Sequence, residues 1–294
     1  MKSVTLEQCF RNFTQAFKYS IPSTPALTLS FILLYLLLIL FFTALAIFLV
    51  PISSNFPELA KFIMGLIGNI FGIVVSIGMM NVACRNIFLR DKVSWKSALS
   101  ILSTWNFFFK ALGMAVIWIL VYLAVNTVVV LLVFVLGGLG MALNSVTVPV
   151  LIGIILGIPL LVLMTIIGNG MMLGQYLLVP DGENESVFSA IAKGIQASFK
   201  NLSVTVASFV VTICVCFVGF LIFLPLLYMI SHHASPGAVA MYMIPVAIIF
   251  ITICYAYTCY FSLTGHCIFT DDTSDRKDNG NIGYSESGST ERFN

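Results

Sequence analysis

Hydrophobic residues fall along this chain in two alternating modes. Six long runs are apolar almost throughout: residues 27–50, 63–84, 111–136, 148–177, 202–230 and 239–269. Between them, and before the first, lie polar stretches in which apolar residues recur at helical spacing. In the first, Leu6, Phe10, Phe13 and Phe17 make one stripe, started by the capping-box spacing of Thr5 to Gln8 and expected to end at Pro22 and Pro25. In the second, Ser94 precedes Trp95, Ala98, Leu102, Trp105 and Phe109. In the third, Ser186 precedes Phe188, Ile191, Ile195, Phe199 and Leu202, with Lys193, Gln196 and Lys200 off the stripe.

About 20 apolar residues are needed to cross a hydrocarbon core of roughly 30 Å, and each of the six runs is long enough. The expected fold is therefore an all-α polytopic membrane protein of six transmembrane helices. Three amphipathic helices are expected to lie in the membrane–water interface, through Phe10, Phe13, Phe17, Trp95, Trp105, Phe188 and Phe199. Amphipathic helix, span, short turn and span succeed one another three times, over residues 1–84, 85–177 and 178–270. Thr5 and Cys9, Ser94 and Ala98, and Ser186 and Ala190 hold matching places in these repeats. Residues 1–270 thus read as one transmembrane domain. The Ser/Gly/Asp-rich residues 271–294 read as a disordered cytoplasmic tail.

Composition strengthens this reading. Hydrophobic residues make up 60% of the chain and charged residues 9%, a balance that suits lipid as the solvent better than water. Thirteen of the fourteen Lys and Arg fall on one side of the expected topology, with only Lys61 opposite. By the positive-inside rule both termini are expected to be cytoplasmic. The net charge of +2 is small and its basic residues scattered, which gives no footprint for nucleic acid. The seven cysteines are expected to be free thiols in helices or at a reducing face.

Candidate chemistry is sparse. All twelve acidic residues lie outside the six runs, and no basic residue lies in the middle of one, so no proton relay is visible. No phosphate loop, catalytic triad, cofactor motif or metal-ligand spacing occurs; the adjacent His232 and His233 share no helical face, and His266 reads as an interfacial anchor. The chain is therefore expected not to be an enzyme. Polar side chains within the runs are neutral. Asn69, Asn126 and Asn169 are candidates for one polar cavity beside a fourth span that Pro159 is expected to bend. Gly68 and Gly72 form a small-x-x-x-small pair that would let a second helix approach closely. Short external turns are expected at residues 51–58 and 137–140, the first rich in proline and the second in glycine.

Pro180-Asp181-Gly182, then Ser186, Ala190, Ser198-Phe199 and Asn201, after a glycine-rich span, resemble a group of bacterial six-span inner-membrane proteins. That group is similar to the membrane domain fused to some glycerophosphodiester phosphodiesterases. The resemblance covers residues 153–225, and the first half only in its repeat pattern. It implies a helical membrane domain with amphipathic cytoplasmic segments. It does not carry over the hydrolase, a separate barrel of about 250 residues. The functional expectation is a protein that organises lipid or a membrane-protein partner, with transport of a neutral or lipid-like substrate as the alternative.

Overall fold

The computed structural model describes residues 1–90, 92–94, 105–143, 147–179, 185–231 and 235–270. These residues form helices joined by short connections, with no strand among them. They are α1 (Leu6–Asn55), α2 (Pro57–Phe88), α3 (Trp105–Leu143), α4 (Thr147–Leu178), α5 (Val187–Lys200), α6 (Leu202–Ser231) and α7 (Pro236–Phe269). Five of them, α2, α3, α4, α6 and α7, are long and apolar enough to cross a membrane. The chain is accordingly described as a multi-pass helical membrane protein.

The capping box forms as expected. The Thr5 amide donates to Gln8 Oε1 at 2.9 Å, and the Gln8 amide lies 3.3 Å from Thr5 Oγ1. Further along, the helix departs from expectation, because Pro22 and Pro25 do not end it: α1 continues through both to Asn55. The partnered groups around them explain why. Ser23 and Thr24 hydroxyls donate to the Tyr19 and Ser20 carbonyls, and Ser20 Oγ reaches the Thr252 carbonyl of α7 at 2.7 Å. A helix flanked by another helix and short hydroxyls can tolerate two missing amides, since stopping would expose more backbone groups.

The expected turn at residues 137–140 is likewise helical, and α3 reaches Leu143. Glycine costs about 1 kcal/mol in a helix, less than unpaired backbone groups cost in an apolar surrounding. The expected turn at residues 51–58 contracts to Phe56, between Asn55 and Pro57. Helix α4 runs unbroken through Pro159.

Packing divides the molecule into two layers. At the basic end, one core gathers Cys9, Ala16 and Leu27 of α1, residues 73–84 of α2, and Ala111, Met114 and Ala115 of α3. Residues 171–179, Ala190 and Ala197 of α5, Val204 and Ala207 of α6, and Tyr255, Tyr260 and Phe261 of α7 complete it. Beyond that core the helices present large apolar side chains outward. On α3 the band runs from Val116 to Val135, on α4 from Val148 to Leu163 and on α6 from Val206 to Tyr228. About twenty residues of helix rise roughly 30 Å, the depth of a hydrocarbon core. The apolar band is where lipid would replace protein contacts. The packed end carries Lys2, Arg11, Lys18, Arg85, Lys110, Lys193 and Lys200.

Candidate functional site: the packed end and two grooves

Two close helix pairings build the packed end. The first is α5 on α4, through glycine. A Cβ on Gly194 would lie 2.2 Å from the Gly170 carbonyl oxygen and 2.7 Å from the Gly174 amide nitrogen; one on Gly170 would lie 2.6 Å from Ile195 Cα. Ala190, Gly194 and Ser198, four apart, form the buried strip of α5, with Ile191 and Ala197 beside them. Gly68 and Gly72, by contrast, bring no helix close: a Cβ on Gly72 would meet nothing within 4 Å, and one on Gly68 only the Phe42 ring at 3.9 Å. The small-residue approach is made elsewhere than α2.

The second pairing is the N-terminal part of α1, antiparallel to α7. Asn12 Nδ2 donates to Thr264 Oγ1 at 3.3 Å, Phe13 meets Tyr260 edge-on at 6.0 Å, and Thr24 and Thr252 hydroxyls lie 3.1 Å apart. The segment before α1 is fastened as well. The Lys2 amide donates to the Ile268 carbonyl, the Val4 amide to Asn201 Oδ1 at 2.8 Å, and Ser203 Oγ to the Val4 carbonyl. Asn201, at the elbow between α5 and α6, is 3% exposed and also donates to the Ala197 carbonyl.

Helix α5 shows three faces where the sequence showed two. The small residues meet α4. Ser189, Lys193, Gln196 and Lys200 lie on the polar side. Phe188 and Phe199, 80% and 50% exposed, point away from both. At its start Glu185 pairs with Lys193 and accepts from Ser189. Partial burial would raise the Glu185 carboxyl, but Lys193 and Ser189 hold it below its ordinary value. That pairing contributes at neutral pH and fades as pH falls through the lowered value. Charging the outer face is the direct check on its surroundings. Phe188→Glu with Phe199→Glu is expected to expose α5 to protease in membrane vesicles while the spans stay protected. Unchanged cleavage would mean that this face does not touch lipid.

The three candidate asparagines are not brought together. Asn169 is buried between α4 and α6 and donates to Ser208 Oγ at 2.7 Å. Asn126 is exposed on the outward band of α3. Asn69 lines a groove between α2 and α3, its amide donating to the Gly65 carbonyl. The remaining polar groups of the spans concentrate at the packed end. Asn86 donates to Ser23 Oγ and to the Tyr255 hydroxyl, both at 3.2 Å, joining α1, α2 and α7. His266 sits in an aromatic cluster, 4.5 Å from the Phe88 ring and 3.3 Å from the Tyr176 hydroxyl. All seven cysteines are free, and no group of three or more His, Cys, Asp or Glu among the described residues could hold a metal.

Of the expected interfacial residues, Phe10, Phe13 and Phe17 line an apolar groove of about 590 Å³ against α6 and α7, closed by Val211, Val215 and Ile253. The groove joins the packed end to the apolar band. Trp95 lies outside the described residues, as do His232, His233 and residues 271–294; Trp105 opens α3. A pattern of small residues at Ala190, Gly194 and Ser198 was present in the sequence and marks the α4 contact, although the larger apolar stripe masks it.

No family model, curated protein or solved structure matches this chain.

Proposed function

We propose that this is a non-enzymatic, six-span protein of a bacterial inner membrane that organises lipid at the cytoplasmic face, alone or with a membrane-protein partner. The sixth span is the apolar stretch at residues 27–50 within α1. The resemblance to six-span inner-membrane proteins belongs to the same proposal. The observation that carries it is the division into a packed basic end and an outward apolar band, with an apolar groove crossing their boundary. The basic residues at the packed end support a cytoplasmic side for that end and for both termini. Arg11 and Lys18 flank the Phe10–Phe17 stripe, so a phospholipid with a chain in the groove would find cations for its phosphate.

The threefold repeat gains support from helix order. The amphipathic segment of the third unit, α5, packs on the last span of the second; that of the first, α1, packs on the last span of the third. Cys9 and Ala190, four residues after Thr5 and Ser186, are both fully buried at these contacts. A cyclic arrangement of three units would produce this relation.

The test is native mass spectrometry of protein extracted in mild detergent. One tightly held phospholipid is expected, and Val215→Trp, which fills the groove, should remove it while the protein stays folded. Absence of stoichiometric lipid, or its retention by the filled variant, would refute the groove's role; a co-purified polypeptide would favour a partner as the object organised. Transport of a neutral or lipid-like substrate is the competing reading, favoured by a second groove between α2, α3 and α4. Net movement of such a substrate across proteoliposomes separates the two.

A further inference from the structure

That second groove is a cleft with two adjoining parts. The part towards the apolar band, about 510 Å³, is lined by Phe62, Gly65, Leu66, Tyr122 and Leu123. The part towards the packed end, about 290 Å³, is lined by Gly68, Gly72, Ser76, Gly168, Met172 and Gln175. Asn69, Ile73 and Trp118 belong to both. Both volumes together fall in the range of small-molecule sites, roughly 300–1,000 Å³.

Glycine keeps this space open. A Cβ at Gly65, Gly72 or Gly168 would meet nothing within 4 Å, so these residues leave volume empty on two facing walls. The polar groups inside are all neutral and incompletely partnered. Ser76 Oγ donates to Gln175 Oε1 at 3.0 Å, and the Gln175 amide N–H groups have no acceptor among the described residues, although the residue is only 4% exposed. Asn69 Nδ2 donates to the Gly65 carbonyl at 2.9 Å, and its Oδ1 has no donor among the described residues. Unpaired amide groups beside hydrocarbon are costly. A hydroxyl can accept from one and donate to the other. A charged head group would find no counter-ion, since no Asp, Glu, Lys or Arg lines the cleft.

We infer that this cleft binds one neutral, single-chain lipid of the monoacylglycerol or long-chain alcohol class. Its hydroxyl head lies between Gln175 and Asn69, beside Ser76, and its chain runs past Trp118 towards Phe62 and Leu123. This deepens the transport reading by naming its ligand class but concerns binding alone. A protein that binds the lipid without moving it would end the transport reading and leave this one intact.

The experiment uses the full chain in phosphatidylcholine nanodiscs and two probes sharing one diazirine-bearing chain. One is a monoacylglycerol; the other is the fatty acid, held ionised. After photolysis, the monoacylglycerol is expected to label α2 and the first half of α3, exceeding the acid by at least about fivefold, because the carboxylate would be left without a counter-ion. Gly72→Leu and Gly168→Leu, which fill the cleft from opposite walls, should each suppress that labelling while melting as the parent does. Either suffices if the other fails to fold. Gln175→Met, similar in volume without the amide, should lower monoacylglycerol labelling about fivefold, the worth of one net hydrogen bond, while the protein melts as the parent does. Equal labelling by both probes in the parent protein, unchanged labelling in the folded filled variants, or labelling spread evenly over all helices would overturn the assignment.

Discussion

Gly194→Ala is expected to destabilise the protein by at least about 1–3 kcal/mol, the usual cost of overpacking a close contact; Gly194→Leu should prevent recovery of a monodisperse protein. The added Cβ would stand 2.2 Å from the Gly170 carbonyl oxygen, a backbone atom that cannot rotate away. Relief requires α5 and α4 to separate, and Ala190, Ala197 and Ser198 would lose their buried contacts with them. Gly170→Ala should act in the same direction, because its Cβ would meet Ile195 Cα at 2.6 Å. The informative contrast is Gly157→Ala, where nothing lies within 4 Å. There the lower entropy of the unfolded chain and the better helix propensity should give a gain of roughly 0.4–1 kcal/mol. Melting temperatures of the three alanine variants in one detergent check the signs. Equal losses at all three would mean that the α4–α5 contact is not made through glycine.

Asn201→Leu is expected to cost about 1–3 kcal/mol, the penalty for leaving a buried donor unpaired. Its Oδ1 accepts the Val4 amide across 197 residues of the chain, and Val4 is itself 5% exposed. Leucine keeps the bulk but removes both the acceptor for Val4 and the donor to the Ala197 carbonyl, so the loss measures these two hydrogen bonds rather than a cavity. Ser203→Ala removes the hydroxyl that donates to the Val4 carbonyl. Because both side chains hold one segment, the double variant should lose less than the two single losses combined. Strict additivity in a double-mutant cycle would show that the two bonds are independent and that residues 2–4 are not held as a unit.

Asn201 also shows where sequence reading stops. It stood in the sequence as part of a short motif within the third amphipathic stretch. Its partner, 197 residues away, was not legible, since no local periodicity reports a contact between the start of a chain and a helix so distant from it. Phe13 is similar. Its place on the Phe10–Phe17 stripe was visible, but its neighbour was expected to be the membrane surface, whereas Tyr260 of α7 meets it. An apolar stripe states that something apolar covers it and is silent on whether that is lipid or protein.

The turn signals failed in one direction only. Pro22, Pro25 and the glycines at 137–140 would break a helix in water, where the freed backbone groups find hydrogen-bond partners. Here the surrounding hydroxyls, the neighbouring helix and the apolar setting favour continuation. Asn69, Asn126 and Asn169 lay within their apolar runs, yet rotation about each helix axis separates them: one lines a cleft, one faces outward and one is bonded to Ser208. The depth of a residue emerges from counting along an apolar run, but its direction depends on what packs beside it.

The sequence by itself determined the helical class, the long apolar helices, the capping box and the concentration of basic charge at one end. These rest on composition and on periodicities within a few turns, which hydrophobic transfer and backbone hydrogen bonding fix locally. Only the tertiary structure decided that α1 is continuous, that α5 docks by Gly194 against Gly170 and Gly174, and that the glycines of α2 leave a cleft instead of closing one. Glycine has no side chain to declare which of these it will do; the distance to the facing backbone decides.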